Sequence, residues 1–238
     1  MGSFTPVPNS QVDTPAGSFL SFVKRFRSPA GTDANRLYYS LDYGLAHVVF
    51  LQGYCPAMRT YAVTPCLGPG TPQAMWLAAD LAAVNRALTP WVIILVHQPW
   101  MNSNWAHRIS LEGVEIQAVL EDLVQSADLV ISGHVHSYER SARSYRFACN
   151  ASAPASIVIG DGGNREGLAT NFTSPQPDWS LLRQASFGHG QLTAVNATHL
   201  HWVWRQSARS APPIGDDFYF VKGDAGACGG GVTRAPLR

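Results

Sequence analysis

Apolar positions along this 238-residue chain follow distinct spacings, and each spacing predicts a different kind of element. From Ala74 to Leu88 they recur about every 3.6 residues in an Ala- and Leu-rich stretch, which predicts a helix stopped by Thr89-Pro90. Leu111 to Gln125 repeats the pattern, with Ile116, Val119, Leu120, Leu123 and Val124 along one side. Between these lies Trp91-Val-Ile-Ile-Leu-Val96, an unbroken run of branched and aromatic residues that suits a strand covered on both faces. Leu129 to Ser132 is a second such run. Strand, helix and strand in this order make a βαβ unit, so the two strands are expected to be parallel. Upstream, Leu37 to Leu41 and Ala46 to Leu51 read as strands around a Tyr43-Gly44 turn, and the Pro- and Gly-rich Cys55 to Pro72 as a loop. Downstream the pattern is strands without another helix: Ile157 to Ile159, Gln191 to Val195, Leu200 to Trp204 and Phe218 to Val221. The expected class is α/β, a sheet-rich sandwich flanked by helices. Residues 1–18 read as an irregular segment, 19–222 as the folded body, with an apolar cluster opening it at Phe19 to Phe26, and 223–238 as a flexible tail.

Composition narrows the function classes. With 46% hydrophobic and 14% charged residues the chain can fill a core and is neither disordered nor a coiled coil. A formal charge of +1 gives no electrostatic footprint for nucleic acid or an anionic membrane, and no apolar run reaches bilayer length. Met1 to Pro15 lacks the basic and apolar regions of a secretory signal. Yet Asn150-Ala-Ser, Asn171-Phe-Thr and Asn196-Ala-Thr are glycosylation sequons, which point to the secretory pathway. Cys55, Cys66, Cys149 and Cys228 show no CxxC spacing and so do not read as zinc or redox motifs. Cys55 and Cys66 are close enough in sequence to close a short loop, but connectivity stays open. A secreted-looking body without a leader is expected to be incomplete at its N-terminus.

The candidate chemistry sits where the two buried strands end. Val96 is followed by His97, and Ser132 by Gly133-His134-Val-His136. Ligands collect outside the carboxyl ends of strands in an open α/β sheet, and parallel neighbours put those ends on one edge. Three imidazoles are therefore expected to converge, His134 and His136 sharing a side if the backbone is extended. Imidazole suits zinc, iron, copper and nickel. Other candidates carry ordinary readings. Asp161-Gly-Gly-Asn164 lacks the lysine and helix of a P-loop and reads as a turn. His47, His189, His199 and His201 read as structural, Ser103 has no acidic partner in its motif, and Tyr138-Glu139-Arg140 reads as the anchor of the histidine loop. Trp76, Trp91, Trp202 and Trp204 read as core.

His97-Gln-Pro-Trp-Met-Asn-Ser-Asn-Trp-Ala-His107 and Gly133-His-Val-His-Ser-Tyr-Glu-Arg-Ser141 resemble the last two signature blocks of plant-type purple acid phosphatases. Ile159-Gly-Asp-Gly-Gly-Asn-Arg-Glu-Gly-Leu168, Ala185-Ser-Phe-Gly-His189 and Trp202-Val-Trp-Arg205 continue the resemblance, which runs from about Phe19 to about Tyr219. It implies a metallophosphoesterase sandwich hydrolysing phosphate monoesters at a dinuclear centre of Fe(III) with Zn, Mn or Fe, as an enzyme secreted or held in the vacuole, in a homodimeric arrangement. By position, His97 and His134 would bind the divalent metal and His136 the ferric ion, while His107 would contact the phosphate and protonate the leaving alkoxide. Relatives that prefer phosphodiesters or diphosphonucleotides exist in the same family. The family's earlier blocks, an Asp-x-Gly, a Gly-Asp-x-x-Tyr and a Gly-Asn-His-Glu, should precede the segment that matches from Phe19, and none of them stands there. With imidazole ligands alone a ferric site lacks the anionic oxygen donors it wants. The expectation is therefore a colourless chain, weak or inactive by itself, the alternative being a remnant that binds a metal or a partner. Without the neighbouring strands, a sheet edge is expected to stay unpaired and an apolar face uncovered.

Overall fold

The computed structural model describes residues 20–26, 29, 37–54, 67–106, 111–207 and 214–224. The irregular segment 1–18, most of the tail, Cys55, Cys66, Cys228 and His107 lie outside the described residues. A seven-stranded mixed sheet forms the centre, in the spatial order β1 (Tyr39–Tyr43), β2 (Ala46–Phe50), β3 (Trp91–Val96), β4 (Leu129–Ser132), β8 (Ala155–Ile159), β5 (Tyr138–Ser141) and β9 (Ser180–Gln184). Its middle four strands, β2, β3, β4 and β8, are parallel, and the antiparallel β1 and the β5–β9 pair flank them. A second sheet is an antiparallel meander of β10 (Gly188–Ala194), β11 (His199–Gln206) and β12 (Ile214–Val221). β6 (Ser144–Tyr145) and β7 (Ala148–Cys149) make a small hairpin. The helices are α1 (Leu20–Arg25), α2 (Pro72–Ala83) and α3 (Leu111–Leu123).

The six apolar residues of β3 explain the layering. Val92, Ile94 and Val96 face one way and join Leu77 of α2 and Leu120 of α3 in one core. Trp91 and Ile93 face the other way and join Leu200, Trp202, Trp204 and Phe220 of the second sheet. The strand is thus buried on both faces, as its unbroken pattern requires. Gly190 on β10 lets the Trp202 ring lie flat beneath it, since a Cβ there would fall 1.9 Å from the ring. The two sheets are also joined by buried polar groups. The Tyr138 hydroxyl donates to Asp216 Oδ2 at 2.6 Å, Arg140 Nε reaches the same oxygen at 2.6 Å, and Trp202 Nε1 donates to the Tyr138 oxygen at 2.8 Å. Burial, with the Asp216 charge adding to it, holds the Tyr138 phenol far above its usual range and so protonated.

The second sheet is too narrow to cover the first. β10 is its edge strand among the described residues, and beyond it the apolar face of β2, β3 and β4 lines an open groove of about 510 Å³. Leu45, Val48, Ile93, Leu95 and Ile131 form its floor, and Leu192 with Ala194 one wall.

Several boundaries differ from the sequence pattern. α2 starts at Pro72 behind a Thr71 cap whose hydroxyl accepts the Ala74 N–H, and it ends at Ala83 rather than Leu88. Asn85 ends it, because its side chain accepts the Ala87 N–H and its carbonyl takes the Leu88 and Thr89 N–H groups in a tight turn. β5, β6, β7 and β9 carry no periodic signal and were absent from the pattern. β1 begins two residues later than expected. No helix of the described residues is long and apolar enough to cross a membrane.

Candidate functional site

The parallel strands β2, β3, β4 and β8 deliver their carboxyl ends to one edge of the central sheet, and Tyr54, His97, Gly133 and Asp161 follow those ends. His97 and His134 are brought together there. His97 Nε2 lies 3.1 Å from His134 Nδ1, the two rings meeting edge to face at 4.9 Å between centroids. The Tyr54 ring packs against both, at 5.4 Å from His97 and 6.5 Å from His134. Tyr54 carried no signal in the sequence, because it sits in an aperiodic stretch beyond an apolar strand.

The local backbone departs from the extended form that the sequence suggested. His134 has φ 63°, a left-handed conformation that is uncommon outside glycine. Val135 N–H bonds the Gly133 carbonyl at 2.7 Å and Ser137 N–H the Val135 carbonyl at 2.8 Å, so residues 133–137 form successive tight turns. The regular alternation of an extended strand is interrupted at His134. His136 Nδ1 faces the Gly167 carbonyl at 3.2 Å and stands 3.9 Å from Glu166 Oε2. His97 pairs with His134, and the His136 ring contacts the loop after β8. Gly160 makes room for the turn, since a Cβ there would lie 2.2 Å from the Val135 carbonyl oxygen. Strain of this kind persists only where the surroundings over-determine it, and it concentrates at functional sites.

Two neutral imidazole nitrogens 3.1 Å apart fit either a hydrogen bond between one N–H and one lone pair or two neighbouring ligands of one ion. At a metal–nitrogen distance of about 2.1 Å, adjacent ligand nitrogens stand roughly 3.0–3.4 Å apart, so the pair fits a single divalent cation. Buried polar atoms without a protein partner occur in both histidine loops: Gln98 Oε1, Trp100 Nε1, Asn102 Oδ1, Ser132 Oγ and Ser137 Oγ. Such groups mark places that hold ordered water or a ligand. Among the described residues, however, no group of three or more His, Cys, Asp or Glu side chains is arranged to hold a metal ion. The described residues thus fit two ligands of one divalent ion and supply no anionic set for a ferric ion.

The other candidates are placed as follows. Asp161 is fully buried, its Oδ2 accepting Trp204 Nε1 at 2.7 Å, and burial raises its pKa above the usual carboxylate range. Asn164 Oδ1 accepts the N–H groups of Glu166 and Gly167, which makes its loop a turn. His47 bridges Asp42 at 2.7 Å and Asp80 at 2.9 Å. His201 Nε2 lies 2.6 Å from Asp217 Oδ1 and stacks on Tyr219, away from the histidine pair in the second sheet. The sequon residues Asn150, Asn171 and Asn196 are all exposed, and Cys149 is disulfide-bonded.

A family model described as iron/zinc purple acid phosphatase-like protein C matches residues 153–216, from the start of β8 into β12. Purple acid phosphatase 18 of Arabidopsis thaliana is 41% identical over 206 residues, 84% of this chain and 44% of that protein. A probable purple acid phosphatase 20 of the same plant is 43% identical over 194 residues, 79% of this chain and 43% of that one. In structure, a purple acid phosphatase from yellow lupin (Lupinus luteus) seeds matches with a TM-score of 0.69 and 26% identity, over 84% of this chain and 35% of that chain. The fold is that of a metallophosphoesterase sandwich. Within that class the chain belongs with the purple acid phosphatases, whose C-terminal portion it matches. It spans less than half the length of these curated relatives.

Proposed function

We propose that this chain forms part of an acid phosphatase that hydrolyses phosphate monoesters at a dinuclear metal centre. The observation that carries the reading is the His97–His134 pair at the carboxyl edge of the parallel strands. In this reading His97 and His134 hold the divalent ion, Zn, Mn or Fe, and His136 serves the Fe(III) position. The anionic donors that a ferric ion requires come from the part of the family's architecture that the chain does not span. Metal ions so placed would polarise the phosphoryl oxygens and neutralise charge that builds up during displacement. His107, as imidazolium, gives its proton to the departing alkoxide, which ties the reaction to acid pH. Tyr54 packs on the two histidine rings. A relative from Allium cepa, 36% identical, is named phosphoenolpyruvate phosphatase, and its named substrate is a phosphate monoester. Exposed sequons at Asn150, Asn171 and Asn196, with a disulfide at Cys149, support a glycosylated protein of the secretory or vacuolar route.

The test is hydrolysis of an aryl phosphate at about pH 5 by the chain supplied with iron and zinc, beside its His134→Ala variant. Release of phosphate that the variant loses supports a working centre. Background rates in both mean that the histidine pair is present without the chemistry, and that any activity requires the rest of the family's architecture.

A further inference from the structure

The strand that leaves the GHVH turn carries a buried carboxylate that the proposed chemistry does not use. Glu139, on β5, is 2% exposed, and its two oxygens reach two different elements. Oε2 accepts the Ser103 backbone N–H at 2.8 Å, and Oε1 accepts the Ser180 hydroxyl of β9 at 2.6 Å. Ser103 lies in the loop that begins at His97. Its carbonyl accepts the Thr173 N–H at 2.8 Å, and its hydroxyl accepts Arg183 Nη1 at 3.1 Å. The same Arg183 nitrogen donates to the Thr173 carbonyl at 2.8 Å.

This loop is unusual in being buried while irregular. Trp100, Met101, Asn102, Ser103 and Asn104 are all buried, and an isolated bridge between Asn104 and Phe172 gives the stretch a ladder-like contact. A buried segment outside secondary structure must satisfy its backbone groups from elsewhere. Here the Ser103 N–H is satisfied by a carboxylate from another strand, three residues past His136. Burying a carboxylate is costly unless it is paired. Burial raises the pKa of Glu139, opposed by the hydrogen bonds from Ser103 and Ser180 and by the Arg183 charge. The bond to Ser103 is charge-assisted, a strong tie for a loop.

We infer that Glu139 is a positioning residue: it holds the loop that follows His97, at Ser103, against the strand that emerges from His134 and His136. It joins the two histidine blocks to each other. The sequence suggested only that it anchors its own loop. What the positioning serves rests on the phosphatase reading, whereas the tie itself does not.

Two variants of the full chain test it, read by amide hydrogen exchange and by aryl phosphate hydrolysis. Glu139→Ala should speed exchange at Ser103, Asn104 and Trp105 about tenfold to a hundredfold, the weight of one hydrogen bond to a buried charge, and leave β11 unchanged. In hydrolysis it should lower kcat about tenfold while KM stays within twofold. Glu139→Gln should restore both, because its amide oxygen can accept from Ser103 and its NH₂ can donate to the Ser180 oxygen. Unchanged exchange at 103–105, equal acceleration throughout the chain, or a Gln variant that behaves like Ala would overturn the inference. If Glu139→Ala does not fold, Arg183→Met, which cuts the second tie to Ser103, takes its place with the same local pattern expected. If the unaltered chain hydrolyses nothing, the phosphatase reading fails while the exchange result still decides the role of Glu139.

Discussion

His97 and His134 stand 37 residues apart in the chain, yet their Nε2 and Nδ1 atoms lie 3.1 Å from each other. The contact follows from two features of the fold. β3 and β4 are parallel neighbours whose register pairs Val96 with Ser132, and the Gly133 N–H bonds the His97 carbonyl at 2.9 Å. The left-handed turn at His134 then swings its ring back to His97. Strain at the second histidine is the structural condition for the pair.

That strain can be weighed. A non-glycine residue in the left-handed region costs about 1–2 kcal/mol, part of which glycine returns as unfolded-state entropy. His134→Gly is expected to raise the unfolding free energy by about 0.5–1 kcal/mol while abolishing the pair. Urea denaturation midpoints measure it, and a clear loss of stability would show that His134 is held by favourable packing instead of tolerated for its role.

His47 supplies a pH-dependent contact between β2, β1 and α2. Burial pulls its pKa down, but hydrogen bonds and charges from Asp80 and Asp42 outweigh this and leave it raised above 6.5. A raised folded-state value contributes stability that is fully present below the unfolded pKa and is lost as pH rises through the folded one. His47→Ala should therefore cost about 1 kcal/mol at pH 5.5 and much less at pH 8.5, a modest figure because Asp42 is exposed to solvent. Melting curves at the two pH values give the comparison; a penalty independent of pH would remove the charge from the explanation.

Asp161 behaves in the opposite chemical sense with the same direction in pH. Its carboxyl is raised by burial above the usual 3.8, only partly offset by the Trp204 N–H. Stability then falls as pH climbs from the unfolded value through the folded one, because the ionised group is the disfavoured form. Asp161→Asn keeps an acceptor for Trp204 and should stabilise the fold by about 1 kcal/mol at pH 7.5, with no gain at pH 3.5. A gain of equal size at both values would point to packing alone.

The groove between β2–β4 and β10 predicts a dye-binding surface. It is mostly apolar, about 510 Å³, and bordered by an edge strand that carries no charged residue. The native chain should enhance the fluorescence of anilinonaphthalene sulfonate, and Leu192→Lys, at a half-buried wall position, should lower that signal without changing the melting temperature much. A chain that leaves the dye dark has this face covered.

Much of the scaffold was legible because its signals are local. The Trp91–Val96 run, buried on both faces, gave the central strand and implied layers on either side, and Leu129–Ser132 gave its parallel neighbour. Both histidines at the strand ends were found from that placement. What escaped was set by long-range partners. Tyr138–Ser141 is a strand buried with a glutamate and an arginine inside it, tolerable only because Ser103, Ser180 and Asp216 satisfy them. The turn at His134 escaped because nothing in the pattern marks a left-handed backbone at a residue other than glycine. Tyr54 was missed because only the fold brings the end of β2 beside the ends of β3 and β4.

The central claim is that His97 and His134 act together on one metal ion. Calorimetric titration of the chain with Zn²⁺ tests it most directly, with His97→Ala and His134→Ala as variants and His199→Ala as a control on the second sheet. The account predicts a site weakened at least tenfold by either of the first two substitutions and untouched by the third. Zn²⁺ binding that survives both substitutions, or that is lost only with His199, would contradict it.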